Sequence, residues 1–384
     1  MTRAGTQPGA EPQRGPPAPA APELGLGAEQ EGLRADARAL VAELPESELL
    51  RAFGARGWLA LGVPRAAGGS GGGLLELALL SLELGRRARS LPLRTSAIEC
   101  GGLLLELGSD AQRRAWLPEI WSGRRFLCFV PASDPVSGSA DGAGLRAERV
   151  AAGFALRGSA SFVENAAAAS GFVVAAAGDA LRAGAAAEPA LFLVEAERAG
   201  LRLEALSTLS PAAECALHFD GVALPESARL GSGAAPAPAL ERLRLRSRVA
   251  LCAELAGGAR AALELAVEHV QRRVQWERPI ASFQAVQHAL ADALIDADAA
   301  ELACFEAAAC ADAGLPFEAL ARSASVVCAE ACLRNARRAH QLLGGAGYLA
   351  ASELPLHYRR AVALAEKLGG SERQRQALAR ELGL

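Results

Sequence analysis

One short stretch of the chain gathers side chains that suit the binding of a phosphorylated ligand with a flat ring. Arg273, Trp276 and Phe283 lie in this stretch, which joins two long helical patterns. A guanidinium group matches the oxygen geometry of a diphosphate, and the indole of Trp276 offers a face for stacking. Taken alone, Arg273 is better explained as a solvated arginine at a helix end, so the interpretation depends on a second motif.

A glycine-rich turn at residues 341–348 supplies that second motif after the next two helical patterns. Gly344, Gly345 and Gly347 lack a Cβ, which lets the backbone approach a flat ring or a diphosphate closely. Gln341 can form a hydrogen bond with the edge of such a ring. An ordinary helix C-terminus and turn would use the same glycines, and this is the better explanation of the turn by itself.

The elements that must position these residues follow from hydrophobic periodicity and turn residues. We predict an α+β fold with an N-terminal α-helical domain, a middle antiparallel β-barrel or sandwich and a C-terminal four-helix bundle. The predicted boundaries are a disordered tail at 1–22, the helical domain at 23–125, the β domain at 126–235 and the bundle at 236–384. The tail is rich in Pro, Gly, Ala and Gln and has no periodic apolar pattern.

Individual elements support this division. Short apolar segments at 154–158, 172–174, 190–194 and 216–219 predict strands. Long periodic runs at 240–272, 283–313 and 317–343 predict helices with short connections, which is typical of an antiparallel bundle. Ser109 to Gln112 and Ser371 to Gln374 both have the spacing of a capping box at a helix start.

Composition excludes several classes of protein. The chain has 384 residues, 51% of them hydrophobic, and a formal net charge of −3, which does not suggest a nucleic-acid partner. No apolar run reaches the length of a membrane span, and no signal-peptide pattern is present. The eight cysteines have no zinc-site spacing, so we interpret them as buried core residues in a reducing, cytoplasmic compartment.

The segment at 273–285 resembles the signature of the acyl-CoA dehydrogenase family, in which an arginine, an aromatic residue and a downstream Phe-Gln occur at this spacing. The turn at 341–348 resembles the family's Gly-Gly-x-Gly-aromatic turn, and Arg359-Arg360-Ala361 leading to Gly369-Gly370-Ser371 is a third match. The resemblance covers residues 30 to 384. Both motifs at the family's spacing favour the cofactor interpretation over the structural one.

The resemblance implies FAD as cofactor and an acyl-CoA thioester as substrate. It also implies a homodimer, homotetramer or heterotetramer, because bundle residues of one subunit reach the FAD held mainly by its neighbour. An electron-transfer flavoprotein is the implied electron acceptor. The implied cofactor-binding residues are Arg273, Gln275, Trp276, Phe283, Gln284, Gln341, Gly344, Gly345 and Phe162, of which Phe162 would pack on the isoalloxazine ring.

The sequence departs from the family at its catalytic base. The chemistry needs a carboxylate at the α-carbon of the substrate, but the two family positions for it match Leu368 and Ser247. Neither residue is a competent base by itself. Nearby acids at 241, 254, 353 and 366 are better explained as surface or ion-paired carboxylates, so we assign no catalytic residue.

The flavin-contacting segments and the start of the first bundle helix also differ from the family pattern. Residues 132–139 keep little of the family's flavin loop, and Glu164 stands where a hydroxyl is usual, either near the flavin or turned away. Four arginines, among them Arg248, crowd the helix start. They could bind phosphates of CoA, with Arg248 as the substrate-binding residue, or they could be solvated with Glu241 as partner.

Three hypotheses follow. The chain is an FAD-dependent oxidoreductase that dehydrogenates an acyl-CoA at its α and β carbons. Alternatively, it is a non-catalytic partner subunit that completes a flavin half-site in a heteromer. The third possibility is a structural or binding protein that keeps the fold without FAD.

Overall fold

The computed structural model describes residues 25–132, 144–178, 189–231 and 236–384. The predicted tail at 1–22 and the flavin-loop residues 133–139 lie outside these ranges. Before the sheet, the described chain forms α1 Ala28–Glu43, α2 Glu46–Ala55, α3 Leu74–Arg86, α4 Gly101–Leu107 and α5 Asp110–Trp121. A π-helical turn, Leu93–Cys100, runs directly into α4. The capping box at Ser109 is confirmed, since its hydroxyl accepts from the Gln112 amide.

The middle of the chain forms an eight-stranded sheet with the order β6-β7-β3-β2-β4-β5-β8 and with β1 beside β4. Its strands are β1 Leu127–Val130, β2 Arg146–Val150, β3 Gly153–Glu164, β4 Gly171–Gly178, β5 Ala190–Glu195, β6 Leu201–Leu206, β7 Glu214–Leu224 and β8 Arg229–Leu230. Most neighbours are antiparallel, as expected, but β1 and β2 run parallel to β4. The sheet is therefore mixed.

Strand β4 is apolar on both faces because it separates two cores. Phe172 and Val174 belong to the core inside the β domain. Val173 and Ala175 point to the opposite face, where they pack with residues of α4, α5 and α6. This alternation follows from the two-residue period of a strand, and it explains why the segment lacks polar residues.

The C-terminal part is the predicted bundle. Its helices are α6 Ala237–Arg272, α7 Gln284–Asp312, α8 Glu318–Leu343 and α9 Leu354–Lys367, followed by α10 Ser371–Glu381; a hairpin of β9 Val274–Gln275 and β10 Arg278–Pro279 joins α6 to α7. The capping box predicted at Ser371 is wrong. Gly370 occupies the N-cap position and Ser371 is already helical, with no side-chain capping bond.

Helices α3 and α6 cross at direct backbone contact. A Cβ placed on Gly257 would lie 2.0 Å from the Leu82 carbonyl oxygen, and one on Gly85 would lie 2.0 Å from the Glu254 carbonyl oxygen. At the start of α3, the Leu74 amide donates to an Asp312 carboxylate oxygen at 2.6 Å. Asp312 is the last residue of α7, so the N-terminal helices are fixed to two bundle helices at once. Among the described residues, no helix combines the length and apolar character needed to cross a bilayer.

Candidate functional site

A cavity of about 400 Å³ lies where the sheet meets the bundle. Its walls come from the π-helical turn, β1, β3, the segment before β7, α6 and α9. Phe162 lines it with a φ of 59° and an exposed fraction of 39%. The register of β3 against β7 shifts between Ala160 and Val163. Such a bulge changes the direction of the side chain it carries, which accounts for the unusual placement of Phe162 at the cavity.

Charged side chains form one side of this cavity. Arg94, Glu99, Glu164, Glu214 and Lys367 make up what we call the ion-pair cluster. Arg94 contacts Glu164 at 2.5 Å and Glu99 at 3.0 Å. Lys367 Nζ lies 2.6 Å from Glu164 and 2.7 Å from Glu214. The cluster thus connects the π-helical turn, two strands and the last turn of α9.

The central members of the cluster carry full charges at neutral pH. Burial by itself would raise the pKa of the Glu164 carboxyl, but the charges of Lys367 and Arg94 outweigh it and lower that pKa to about 2. Burial likewise opposes the charged form of Arg94, whereas Glu99 and Glu164 raise the pKa of its guanidinium above the ordinary value. Opposite charges at this separation stabilise each other strongly.

Neither family position for the base presents a carboxylate. Leu368 is 4% exposed and packs in the apolar core. The Ser247 hydroxyl forms a short hydrogen bond with Glu99 of the cluster. One turn further along α6, the side chain that lines the cavity is Leu251.

The nearby acids differ in their surroundings. Glu254 is paired with Arg360 at 2.5 Å, which confirms its interpretation as an ion-paired carboxylate, and burial raises its pKa. Glu241 and Glu353 are exposed. Glu366 is also exposed but lines the cavity, and it has no ion-pair or hydrogen-bond partner for its side chain among the described residues.

The Arg273 motif lies elsewhere, on the tight hairpin between α6 and α7. Trp276 and Glu277 have φ values of 54° and 64°, as a two-residue hairpin turn requires. The Trp276 side chain is 83% exposed, and the Arg278 guanidinium lies 4.4 Å from the centroid of the Phe283 ring. Gln275 and Gln284 are exposed, and Arg273 lines an open groove with residues of the last turn of α6.

The Gln341 turn lines a separate groove between α8 and α9. Gly344 has a φ of 57° and a ψ of −136°, which excludes residues with a Cβ. Open space surrounds the positions where Cβ atoms of Gly344 and Gly345 would lie, so their backbone is accessible to a ligand. The described part of one chain thus places Phe162, Arg273 and Gln341 at three separate surfaces.

Arg248 is engaged inside the bundle. One of its guanidinium nitrogens donates to Gln374 at 2.8 Å and to Ser325 at 3.2 Å. Burial lowers the pKa of the guanidinium. These contacts tie α6 to α8 and α10, and the substrate-binding role of Arg248 stays a prediction without support from them.

Sequence reasoning missed the cluster as a group. Arg94 and Glu99 lie in the π-helical turn, which has no period that would reveal their direction. The sequence offers two signals: Lys367 is its single lysine, and Glu164 stands where the family has a hydroxyl. Thr95 was also missed: it lines the cavity and is 8% exposed, and its buried hydroxyl has no hydrogen-bond partner within the described ranges. A cavity with an aromatic wall suits a flat heterocyclic ring such as the isoalloxazine of FAD.

Comparison with known proteins places these features in context. Residues 28–124 match the model of the acyl-CoA dehydrogenase N-terminal domain, and residues 239–383 match that of the C-terminal domain. The chain is 30% identical to the human mitochondrial short-chain specific acyl-CoA dehydrogenase over 340 residues, which are 87% of this chain and 82% of the relative.

Two solved structures are similar over almost the whole chain. The ChsE4-ChsE5 complex from Mycobacterium tuberculosis matches with a TM-score of 0.82 and 25% identity over 94% of this chain and 99% of that one. A variant of the Tcur3481-Tcur3483 steroid ACAD matches with a TM-score of 0.78 and 27% identity over 92% of this chain and 98% of that one.

Proposed function

Because this chain belongs to the acyl-CoA dehydrogenase family, we propose that it is a non-catalytic subunit of a heteromeric acyl-CoA dehydrogenase and completes the FAD site of a related chain. The proposal rests on the observation that neither family position for the base has a carboxylate. Leu368 is buried in the apolar core and Ser247 is bonded to Glu99. The related chain would supply the carboxylate base.

The exposed motifs support a contribution across a subunit interface. Trp276 is 83% exposed at the hairpin tip, and Val274 in the same hairpin is 52% exposed, so the hairpin presents an apolar surface of the kind that ligands and partner chains cover. Arg273 would bind the diphosphate of FAD, Trp276 would stack on a flat ring, and Gln341 with the backbone at Gly344 and Gly345 would bind the adenine end. When bound, FAD supplies the acceptor for the hydride that leaves the substrate.

The two-protein names of the similar structures support the same assembly. One is described as the ChsE4-ChsE5 complex and the other as the Tcur3481-Tcur3483 steroid ACAD. We extend this arrangement to the present chain: it pairs with a second, related chain that has an intact glutamate. An electron-transfer flavoprotein as acceptor and a cytoplasmic location complete the proposal.

Co-expression with such a related chain tests the proposal. We expect the two chains to purify together with bound flavin, measured by its visible absorption, and butyryl-CoA or a longer thioester to bleach it. Arg273→Ala should lower the flavin content of the complex, because the diphosphate loses its guanidinium partner. The matched control is Arg202→Ala, whose residue is exposed on β6 and pairs with Glu204. Equal flavin content in both variants would contradict the assignment.

Glu366 favours a second candidate, in which the chain dehydrogenates an acyl-CoA by itself. Its carboxylate lines the cavity and has no partner among the described residues. In that case the isolated chain would be yellow and would bleach with acyl-CoA, and Glu366→Gln would abolish bleaching while retaining flavin. An isolated chain whose flavin does not bleach would eliminate this candidate, and a colourless complex would favour an FAD-free binding protein.

A further inference from the structure

We propose that the ion-pair cluster is a specificity element that closes the cavity of this chain to acyl-CoA thioesters and leaves room for one uncharged flat ring. The inference rests on the proposed function and extends it to the chain's own cavity. It concerns Arg94 and Lys367, to which no role was assigned from the sequence, and Glu164, which was noted only as a departure from the family pattern.

The ion-pair cluster lies beside the two family positions for the catalytic base. The α-carbon of a reacting thioester lies within about 3 Å of a base. The family places that base at the positions of Ser247 and Leu368, so a thioester bound in the family's manner would lie beside these two residues. Ser247 is bonded to Glu99, and Arg94 Nη1 lies 3.5 Å from the Ser247 hydroxyl. Lys367 is the residue before Leu368 and reaches Glu164. Paired charges therefore adjoin both base positions.

Separating the ion pairs of the cluster is energetically unfavourable because their side chains are largely buried. The side chains of Arg94 and Glu164 are 15% and 12% exposed, and that of Glu214 is 3% exposed. Ions this far removed from water are stable only while their partners stay in contact. An apolar acyl chain inserted between them would separate the pairs without replacing their hydrogen bonds, which is strongly unfavourable.

The rest of the cavity has apolar walls and a limited volume. Its opposite walls are apolar and include Phe129, Phe162 and Leu251. A volume of about 400 Å³ is near the lower end for ligand pockets, which suits one ring system better than a ring with an acyl chain beside it.

Binding to the isolated chain tests the inference with two probes. Riboflavin represents the uncharged ring, and its fluorescence should be quenched by the wild-type chain but at least tenfold more weakly by Phe162→Ala. Butyryl-CoA represents the thioester, and calorimetry should detect no binding to the wild-type chain. Tight binding of butyryl-CoA to the wild-type chain would overturn the inference.

A variant with a reduced cluster sharpens the test. Glu164→Thr combined with Glu214→Gln and Lys367→Ala removes two carboxylates and one cation and leaves Arg94 paired with Glu99. We expect this variant to bind butyryl-CoA at least tenfold more tightly than the weakest affinity that calorimetry detects, with riboflavin binding retained as evidence of folding. Absence of any gain in a variant that still binds riboflavin would overturn the inference.

A second variant keeps the inference testable if the triple variant does not fold. Leu368→Glu places a carboxylate at a family base position while leaving the cluster in place, and we expect riboflavin bound to this variant to remain unbleached by butyryl-CoA. Bleaching in Leu368→Glu alone would show that the cluster excludes nothing. All of these outcomes are read on the isolated chain, whereas the proposed subunit function is read on the complex, so one can fail without the other.

Discussion

The replacement Glu164→Gln tests the central claim about the cluster, because it removes one charge and almost no volume. The carboxyl has a pKa of about 2 in the folded chain against an ordinary 4.5. That difference corresponds to about 3 kcal/mol of stability at neutral pH. Breaking a buried pair costs about 3–5 kcal/mol. The lower figure applies, since Arg94 keeps Glu99 and Lys367 keeps Glu214.

Thermal unfolding at neutral pH is the assay. We expect the midpoint of Glu164→Gln to fall by roughly 5 °C or more, given about 2 °C per kcal/mol for a chain of this size. The matched control is Glu226→Gln, which breaks the exposed pair with Arg149 at 3.0 Å and should change stability by less than about 1 kcal/mol. Equal midpoints for the two variants would refute the argument that burial gives the cluster its strength.

Glu164→Gln should also change how the stability of the chain depends on pH in acid. A depressed carboxyl pKa contributes stability above the unfolded value of 4.5, and this contribution is lost as the pH falls toward about 2. The wild-type chain should therefore lose stability more steeply than Glu164→Gln over that interval. Parallel pH profiles would show that Glu164 is not ion-paired in solution.

Three further predictions concern other parts of the fold. Burial, Arg360 and Arg87 lower the pKa of His357 from 6.5 to about 4, so the wild-type chain should lose up to about 3 kcal/mol as the pH falls from 6.5 to 4, and chemical denaturation of His357→Gln should show a flatter profile. Gly257→Ala places a Cβ 2.0 Å from a carbonyl oxygen of α3 and should destabilise the chain by about 1–3 kcal/mol or more, whereas Gly32→Ala, in open space on α1, should be neutral or stabilising in the same denaturation assay. All eight cysteines are buried, so a thiol reagent should react with them only after unfolding; fast labelling of the native chain would contradict this packing.

Hydrophobic periodicity predicted the long bundle helices well because the bundle is strongly patterned. The predicted run at 317–343 and helix α8 at Glu318–Leu343 differ by one residue at the start. Capping was less predictable: Ser109 caps a helix, but Ser371 does not, because Gly370 at a φ of 75° takes the N-cap position. The parallel pairing of β1 with β4 had no local signal, since it depends on residues more than forty positions apart.

The site was less predictable than the fold for a physical reason. The motifs at Arg273 and Gln341 are each contiguous in sequence and could be recognised, although one chain places them in separate grooves. The cluster joins residues from position 94 to position 367, and each charged side chain by itself resembles an ordinary surface residue. Only the tertiary structure shows that Glu164 turns toward Lys367 and Arg94.

The lone lysine has a practical consequence. Lys367 Nζ is the only side-chain amine in the sequence, it stands at the rim of the cavity, and its side chain is 22% exposed. An amine-directed dye or crosslinker would therefore react with one side chain only, that of Lys367. A protonated amine held by two carboxylates is a poor nucleophile. The acylation rate of Lys367 would therefore measure how often its amine is released from them. Mass spectrometry of the labelled peptide would thus give a reporter of motion at the cavity without any substitution in the chain.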